Sequence, residues 1–132
     1  MEGYTIQGFA EADLSSHQFK FVEWDASDWQ IGLPAGDTSE TILGVLLNKP
    51  GAGEVAVIQV SGVCWVIADE VAIAPFKAIS TDTNGLAKLA ASGDALLGYV
   101  YEAPAGTPAS RTTAAGEMIR VFLYDQKSTR KP

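Results

Sequence analysis

Ile42-Leu43-Gly44-Val45-Leu46-Leu47, closed by Asn48-Lys49-Pro50-Gly51, then Glu54 to Val60, Ser61-Gly62 and Val63 to Ala68, form the stretch that decides the fold. Three apolar runs of strand length are separated by turn residues. Their β-branched Val and Ile side chains suit extended backbone and crowd a helix. Their near-continuous hydrophobicity predicts strands covered on both faces, as in a small closed barrel.

The same grammar extends outward in both directions. Phe19 to Trp24 alternates, Asp25-Ala26-Ser27-Asp28 signals a turn, and Trp29 to Leu33 resumes as strand before Pro34-Ala35-Gly36-Asp37 stops it. Lys77 to Ser80 leads through Thr81-Asp82-Thr83-Asn84-Gly85 into Leu86 to Leu89, with Asn84-Gly85 supplying the positive φ angles of a tight hairpin. Leu96 to Tyr101 and Glu117 to Tyr124 complete the set. Asp69 to Ala74 and Leu86 to Ala91 invite helix, and both are too short. Some eight strands spaced about ten residues apart predict an all-β chain, a small single-domain β-barrel or sandwich. Its boundaries are read as 19–125, with an N-terminal arm over 1–18 and a basic tail over 126–132.

Within residues 1–18, Tyr4 and Ile6 alternate with Thr5 and Gln7 until Gly8 interrupts the pattern. Two readings stand: an extended arm that orders against a partner, or the first edge strand of the domain. For the arm, Tyr4, Ile6 and Phe9 are the expected contact residues, being apolar in a polar stretch.

One echo runs through the chain. Leu43-Gly44-Val45-Leu46 is followed by Ala52-Gly53-Glu54-Val55, and Leu97-Gly98-Tyr99-Val100 by Ala115-Gly116-Glu117-Met118. Both read as strand, loop, Ala-Gly-Glu, strand, and two copies are too few for a solenoid. The expectation is two similar hairpins on opposite walls of one barrel. The second loop, Glu102 to Ala114, is small, polar and Pro-containing, hence expected at the surface.

The chain has 132 residues, 47 % hydrophobic and only 19 % charged, which excludes a disordered polyelectrolyte. With 13 glycines and abundant alanine, much of its surface must be small and uncharged. The net charge of −7 belongs entirely to residues 1–40, where eight acids face the single base Lys20. An acidic front third argues against nucleic acid as a partner, since phosphate binding needs a basic stripe. No apolar run approaches the roughly 18 residues of a membrane span, and the opening residues lack a signal-peptide pattern. A lone cysteine excludes an internal disulfide and suits a reducing compartment.

Catalytic groups are scarce. His17 is the one histidine, so no zinc site of several His or Cys ligands forms within one chain. Cys64 sits between Val63 and Trp65 in an apolar strand that disfavours its thiolate. Gly51-Ala52-Gly53-Glu54-Val55-Ala56 matches a dinucleotide fingerprint in letters, but β-branched residues follow where a helix must open. Glu23, Asp25 and Asp28 gather near Trp24 and Trp29, as in a sugar-binding platform, or simply as turn acids beside core tryptophans. No catalytic, cofactor or metal residue is assigned. The residues by themselves describe a structural or binding β domain.

The ordered set Gly44 to Val57, Gly62-Val63, Ala72-Ile73-Ala74, Thr81 to Gly85, Leu97-Gly98 and Ala115-Gly116-Glu117 resembles the capsid decoration, or cement, proteins of tailed phages. Pro75-Phe76, where a Gly-Asp turn is usual, and the long Glu102 to Ala114 loop depart from that pattern, and residues 1–39 lie outside it. The resemblance implies a virion protein without enzyme activity or cofactor. Its expected partners are the major capsid protein and, as a homotrimer, its own copies, on the capsid exterior after assembly in the host cytoplasm. It implies neither nucleic-acid nor membrane binding. The competing expectation is a glycan- or host-surface-binding β module centred on Trp24 and Trp29.

Overall fold

The computed structural model describes residues 3–25, 29–37, 41–69, 76–102 and 116–124. These carry ten strands: β1 Thr5–Phe9, β2 Phe21–Trp24, β3 Ile31–Gly32, β4 Ile42–Leu46, β5 Val55–Gln59, β6 Gly62–Ile67, β7 Ala78–Thr81, β8 Ala87–Leu89, β9 Gly98–Glu102 and β10 Met118–Leu123. The class is all-β, as expected, and no helix occurs among the described residues. Leu86 to Ala91, read as a short helical possibility, holds β8 instead. The C-terminal tail and nearly all of the Glu102 to Ala114 loop lie outside the described residues.

The strands form two antiparallel sheets, ordered β1-β5-β4-β2-β3 and β6-β10-β9-β7-β8. Adding five to each strand number of the first order yields the second. Each sheet also curls until its outer strands meet in one parallel bridge, Ala10 to Ile31 in the first and Ala68 to Ala87 in the second. The chain is therefore two copies of one five-stranded closed unit. Backbone hydrogen bonds repeat in the same way. The Ala10 N–H donates to the Glu54 carbonyl at 2.9 Å and the Ala68 N–H to the Glu117 carbonyl at 2.8 Å. Gly53 and Gly116, the middle residues of the two Ala-Gly-Glu turns, adopt φ of 78° and 89°, left-handed values that a side chain would strain. Phe19-Lys20 before β2 matches Phe76-Lys77 before β7, with both phenylalanines at positive φ, 65° and 67°. The echo thus marks equivalent hairpins of two units, which corrects the expectation of opposite walls in one barrel. Periodicity reports which face a residue occupies, and only long-range pairing reports which barrel it closes.

Residues 5–9 settle the choice left open for the N-terminus. They pair with β5 in continuous register, Thr5 to Gln59 through Phe9 to Val55, as the edge strand of the first sheet. Ala10 and Leu14 just beyond are buried in the first unit's core. Gly8 does not interrupt the strand. A Cβ there would stand 2.8 Å from Cγ1 of Ile31, so the missing side chain lets β1 close on β3.

Each unit is filled from within, the first by Val22, Ile31, Leu46 and Ile58, the second by Val66, Ile79, Val100 and Val121. The second core also takes in Phe21, Ile42 and Val45, which point outward from the first unit. Phe21 is wholly buried there, a transfer worth about 1.5–3 kcal/mol. The seam is pinned by backbone bonds from the Phe21 N–H to the Gly85 carbonyl at 2.7 Å and from the Ala95 N–H to the Asp37 carbonyl at 2.7 Å.

Candidate interaction surface

On β6, β10 and β9 the strand period puts one set of side chains inside the second unit and the other set outside. The outer set is Val63, Trp65 and Ile67 on β6, Met118, Arg120 and Phe122 on β10, and Tyr99 and Tyr101 on β9. A solvated barrel wall is ordinarily polar, and this one is mostly apolar and aromatic. Its residues line an open recess of about 390 Å³, with Trp65 39 % and Tyr101 47 % exposed at the rim.

The arrangement is ordered by ring contacts. The Arg120 guanidinium lies 5.7 Å from the Trp65 ring centre and 5.2 Å from that of Tyr101, held between the two faces by cation–π attraction. Tyr99 stacks on Phe122 at 5.3 Å and 17°. The register of β10 against β9 shifts between Arg120 and Val121, pairing Arg120 with Glu102 and Val121 with Val100. That bulge sets Tyr101 out of the ladder beside the guanidinium, as bulges at binding surfaces do.

The first unit serves as an internal control. The positions equivalent to Trp65, Arg120 and Phe122 hold Gln7, Val57 and Gln59. The same backbone therefore closes without rings or guanidinium at those sites. Closure of the backbone does not depend on the rings and guanidinium at those sites, and the Trp, Tyr and Arg content of the face matches that of protein-interface anchors.

The sequence-expected contact residues separate. Tyr4 is 77 % and Phe9 58 % exposed, whereas Ile6 turns inward and packs on the first core. In place of a free arm there is a docked strand. The Tyr4 N–H donates to Ser61 Oγ at 3.1 Å, and its carbonyl accepts from the Val60 N–H at 2.8 Å.

Trp24 and Trp29 do meet, edge to face at 6.0 Å, beside a shallow recess lined by Glu11, Glu23 and Asp25 among others. Here the acids build the turn. The Glu23 carboxylate accepts the Ala35 N–H at 2.5 Å and the Thr41 hydroxyl at 2.9 Å. The Asp25 backbone bonds Trp29 and Gln30 at 2.8 and 2.7 Å. Asp28 lies outside the described residues.

His17 accepts the Lys20 ammonium at Nδ1, 3.1 Å away, and partial burial with that cation holds its pKa below 6.5. Burial pushes the Cys64 thiol up to about 12, so it stays protonated. Among the described residues no three His, Cys, Asp or Glu side chains gather as a metal site. The aromatic face was missed by sequence because three distant strands supply it. The available signal was the apolar character of both faces of Val63 to Ala68, whose outer face no second layer covers among the described residues.

No family model matches this chain, and no curated protein sequence does. Among solved structures, the base of the head fibre protein gp8.5 of bacteriophage phi29 shares its fold, with a TM-score of 0.65 at 13 % identity. The likeness spans 96 % of this chain and 98 % of that one.

Proposed function

We propose that this chain is a structural protein of a phage virion. It seats on the outside of an icosahedral shell, bridges neighbouring major capsid protein subunits and stabilises their contacts, as a homotrimer without cofactor or catalytic activity. The observation that carries this reading is the end-to-end likeness to the base of a phage head fibre, a protein that is itself part of a virion head. The resemblance of residues 40–125 to capsid decoration proteins points the same way. Physically, two closed units joined where Phe21, Ile42 and Val45 of the first enter the core of the second make a stiff body that resists deformation between capsomers. Weak individual contacts suffice, because several per trimer and many copies per shell multiply the total.

The test is co-sedimentation of the purified chain with shells that lack it. The reading requires saturable binding with a fixed number of copies per shell. Absence of binding at any concentration contradicts it. A glycan-binding reading draws on the 72 % exposure of Trp29 beside Trp24. A glycan array with hits lost in the Trp29→Ala variant, and no binding to shells, would replace the first reading with the second.

A further inference from the structure

Three residues in the joint between the two units have counterparts elsewhere in the chain. On the second unit, the Ala68 N–H donates to Glu117, so strand alternation turns the Ile67 N–H at the edge of β6 away from β10. There it donates to the Phe19 carbonyl at 3.0 Å. On the same unit the Gly85 carbonyl, two residues before β8, accepts the Phe21 N–H. Phe76 is the counterpart of Phe19, since its N–H donates to Val100 at 2.8 Å as that of Phe19 donates to Leu46 at 2.7 Å. Phe9 is the counterpart of Ile67, because the Ala10 N–H donates to Glu54 and turns the Phe9 N–H away from β5. Trp29 is the counterpart of Gly85, two residues before β3 and at φ of 61° against 79°. Phe19 and Ile67 are half-buried in the joint, whereas Phe76, Phe9 and Trp29 are 78 %, 58 % and 72 % exposed.

Phe76 is thus a second docking shoulder, carried by the second unit, and Phe9 with Trp29 a second receiving edge, carried by the first. We infer that the Phe76 shoulder of one copy seats on the outer edge of β1 in another, its carbonyl accepting the Phe9 N–H. The Ala78 N–H, counterpart of that of Phe21, then donates to the Trp29 carbonyl. The occupant is a second copy because this chain holds both halves of a contact that it already makes once within itself. The receiving edge also has room for a ring, in a recess of about 260 Å³ lined by Gln7, Gly8, Phe9 and Val55. The two surfaces differ, so the contact is heterologous and closes into a ring of copies when its rotation permits. The inference rests on the homotrimer of the proposed function and names the residues that join its copies.

The experiment uses the full chain. Native mass and sedimentation are measured for the unaltered protein, for Phe76→Gly, which suits the left-handed φ, and for Phe9→Ser on the exposed face of β1. The unaltered protein should form a defined oligomer. Each variant should raise its dissociation constant at least ~30-fold, the loss typical of an interface hot spot. An equimolar mixture of the two variants keeps one intact pairing, so it should form a one-to-one dimer that neither variant forms alone. Should a variant fail to fold, a photoreactive phenylalanine analogue at position 76 keeps the test open. It must link to peptides holding Phe9 or Trp29 of a second copy. A monomeric unaltered protein, an oligomer untouched by both changes, a mixture that stays monomeric, or links to any other segment would overturn the inference. None of these measurements needs a shell, so their failure is distinct from a failure to bind shells. On the same variants, loss of shell binding with the oligomer intact assigns Phe76 and Phe9 to the capsid and overturns the contact between copies.

Discussion

The Lys88 ammonium on β8 stands 2.6 Å from the Asp37 carboxylate and 3.3 Å from that of Asp94, so one cation ties the loop after β3 to the second unit. The same loop is fastened through its backbone, since the Asp37 carbonyl accepts the Ser80 hydroxyl at 3.3 Å. The hydrogen bond from Lys88 holds the Asp37 carboxyl below its ordinary value of 3.8, and the bond to Asp37 lifts Lys88 above 10.5. Asp37 is 40 % exposed, so solvent screens the pair and its worth stays modest.

Replacing Lys88 by Met should lower stability by about 1 kcal/mol. The sign of the pH dependence follows from both shifts. The Asp37 contribution is present above 3.8 and lost as pH falls through its lowered value, while the Lys88 contribution is full below 10.5 and lost as pH rises through its raised one. Melting curves of the two proteins should differ by a constant gap across neutral pH, narrowing at either extreme and at high salt.

Phe21 stands on β2 of the first unit and packs into the core of the second, so its truncation should be felt by both. Phe21→Ala is expected to cost about 3–5 kcal/mol. Exchange of amides in β4 and β5 and of those in β6 and β10 should report loss of structure in the first and second units together. Separate transitions would mean that the shared core does not couple them.

Gly44 and Gly98 occupy the same place in β4 and β9. A Cβ on Gly44 would collide with the Gln59 carbonyl, and one on Gly98 with the Phe122 carbonyl. Neither obstacle is a flexible side-chain end. Each glycine changed singly to alanine should destabilise by about 2–3 kcal/mol, by similar amounts, as measured by urea unfolding. A large cost at one and none at the other would break the equivalence of the units.

Cys64 offers a probe of opening. With its thiol pushed up to about 12 by burial, it should resist thiol reagents at pH 8 in the native state and react fully in urea. Native labelling should be limited by unfolding, so Phe21→Ala should accelerate it in step with its loss of stability.

Much of this fold was legible because it is written locally. The Val- and Ile-rich runs marked β4, β5 and β6, Asn84-Gly85 marked the β7–β8 turn, and Ala-Gly-Glu appeared twice. The duplication of the whole unit was not legible, because its proof lies in pairings between residues tens of positions apart, and outside those turns little but Leu43-Gly44 with Leu97-Gly98, and Phe19-Lys20 with Phe76-Lys77, repeats as letters. Tyr4, Ile6 and Phe9 were grouped as contact residues because each is apolar in a polar stretch, and apolar character alone does not separate the exposed Tyr4 and Phe9 from Ile6, which packs on the core. Trp24 and Trp29 drew notice by being near in sequence. Trp65, Tyr101 and Arg120 escaped it because only folding makes them neighbours.

The central claim, a protein that clips shell subunits together, is tested most directly by the temperature at which packaged DNA becomes nuclease-sensitive in shells with and without the bound chain. The account predicts a rise in that temperature that grows with occupancy and saturates when the sites are full. Full occupancy with no rise would contradict it.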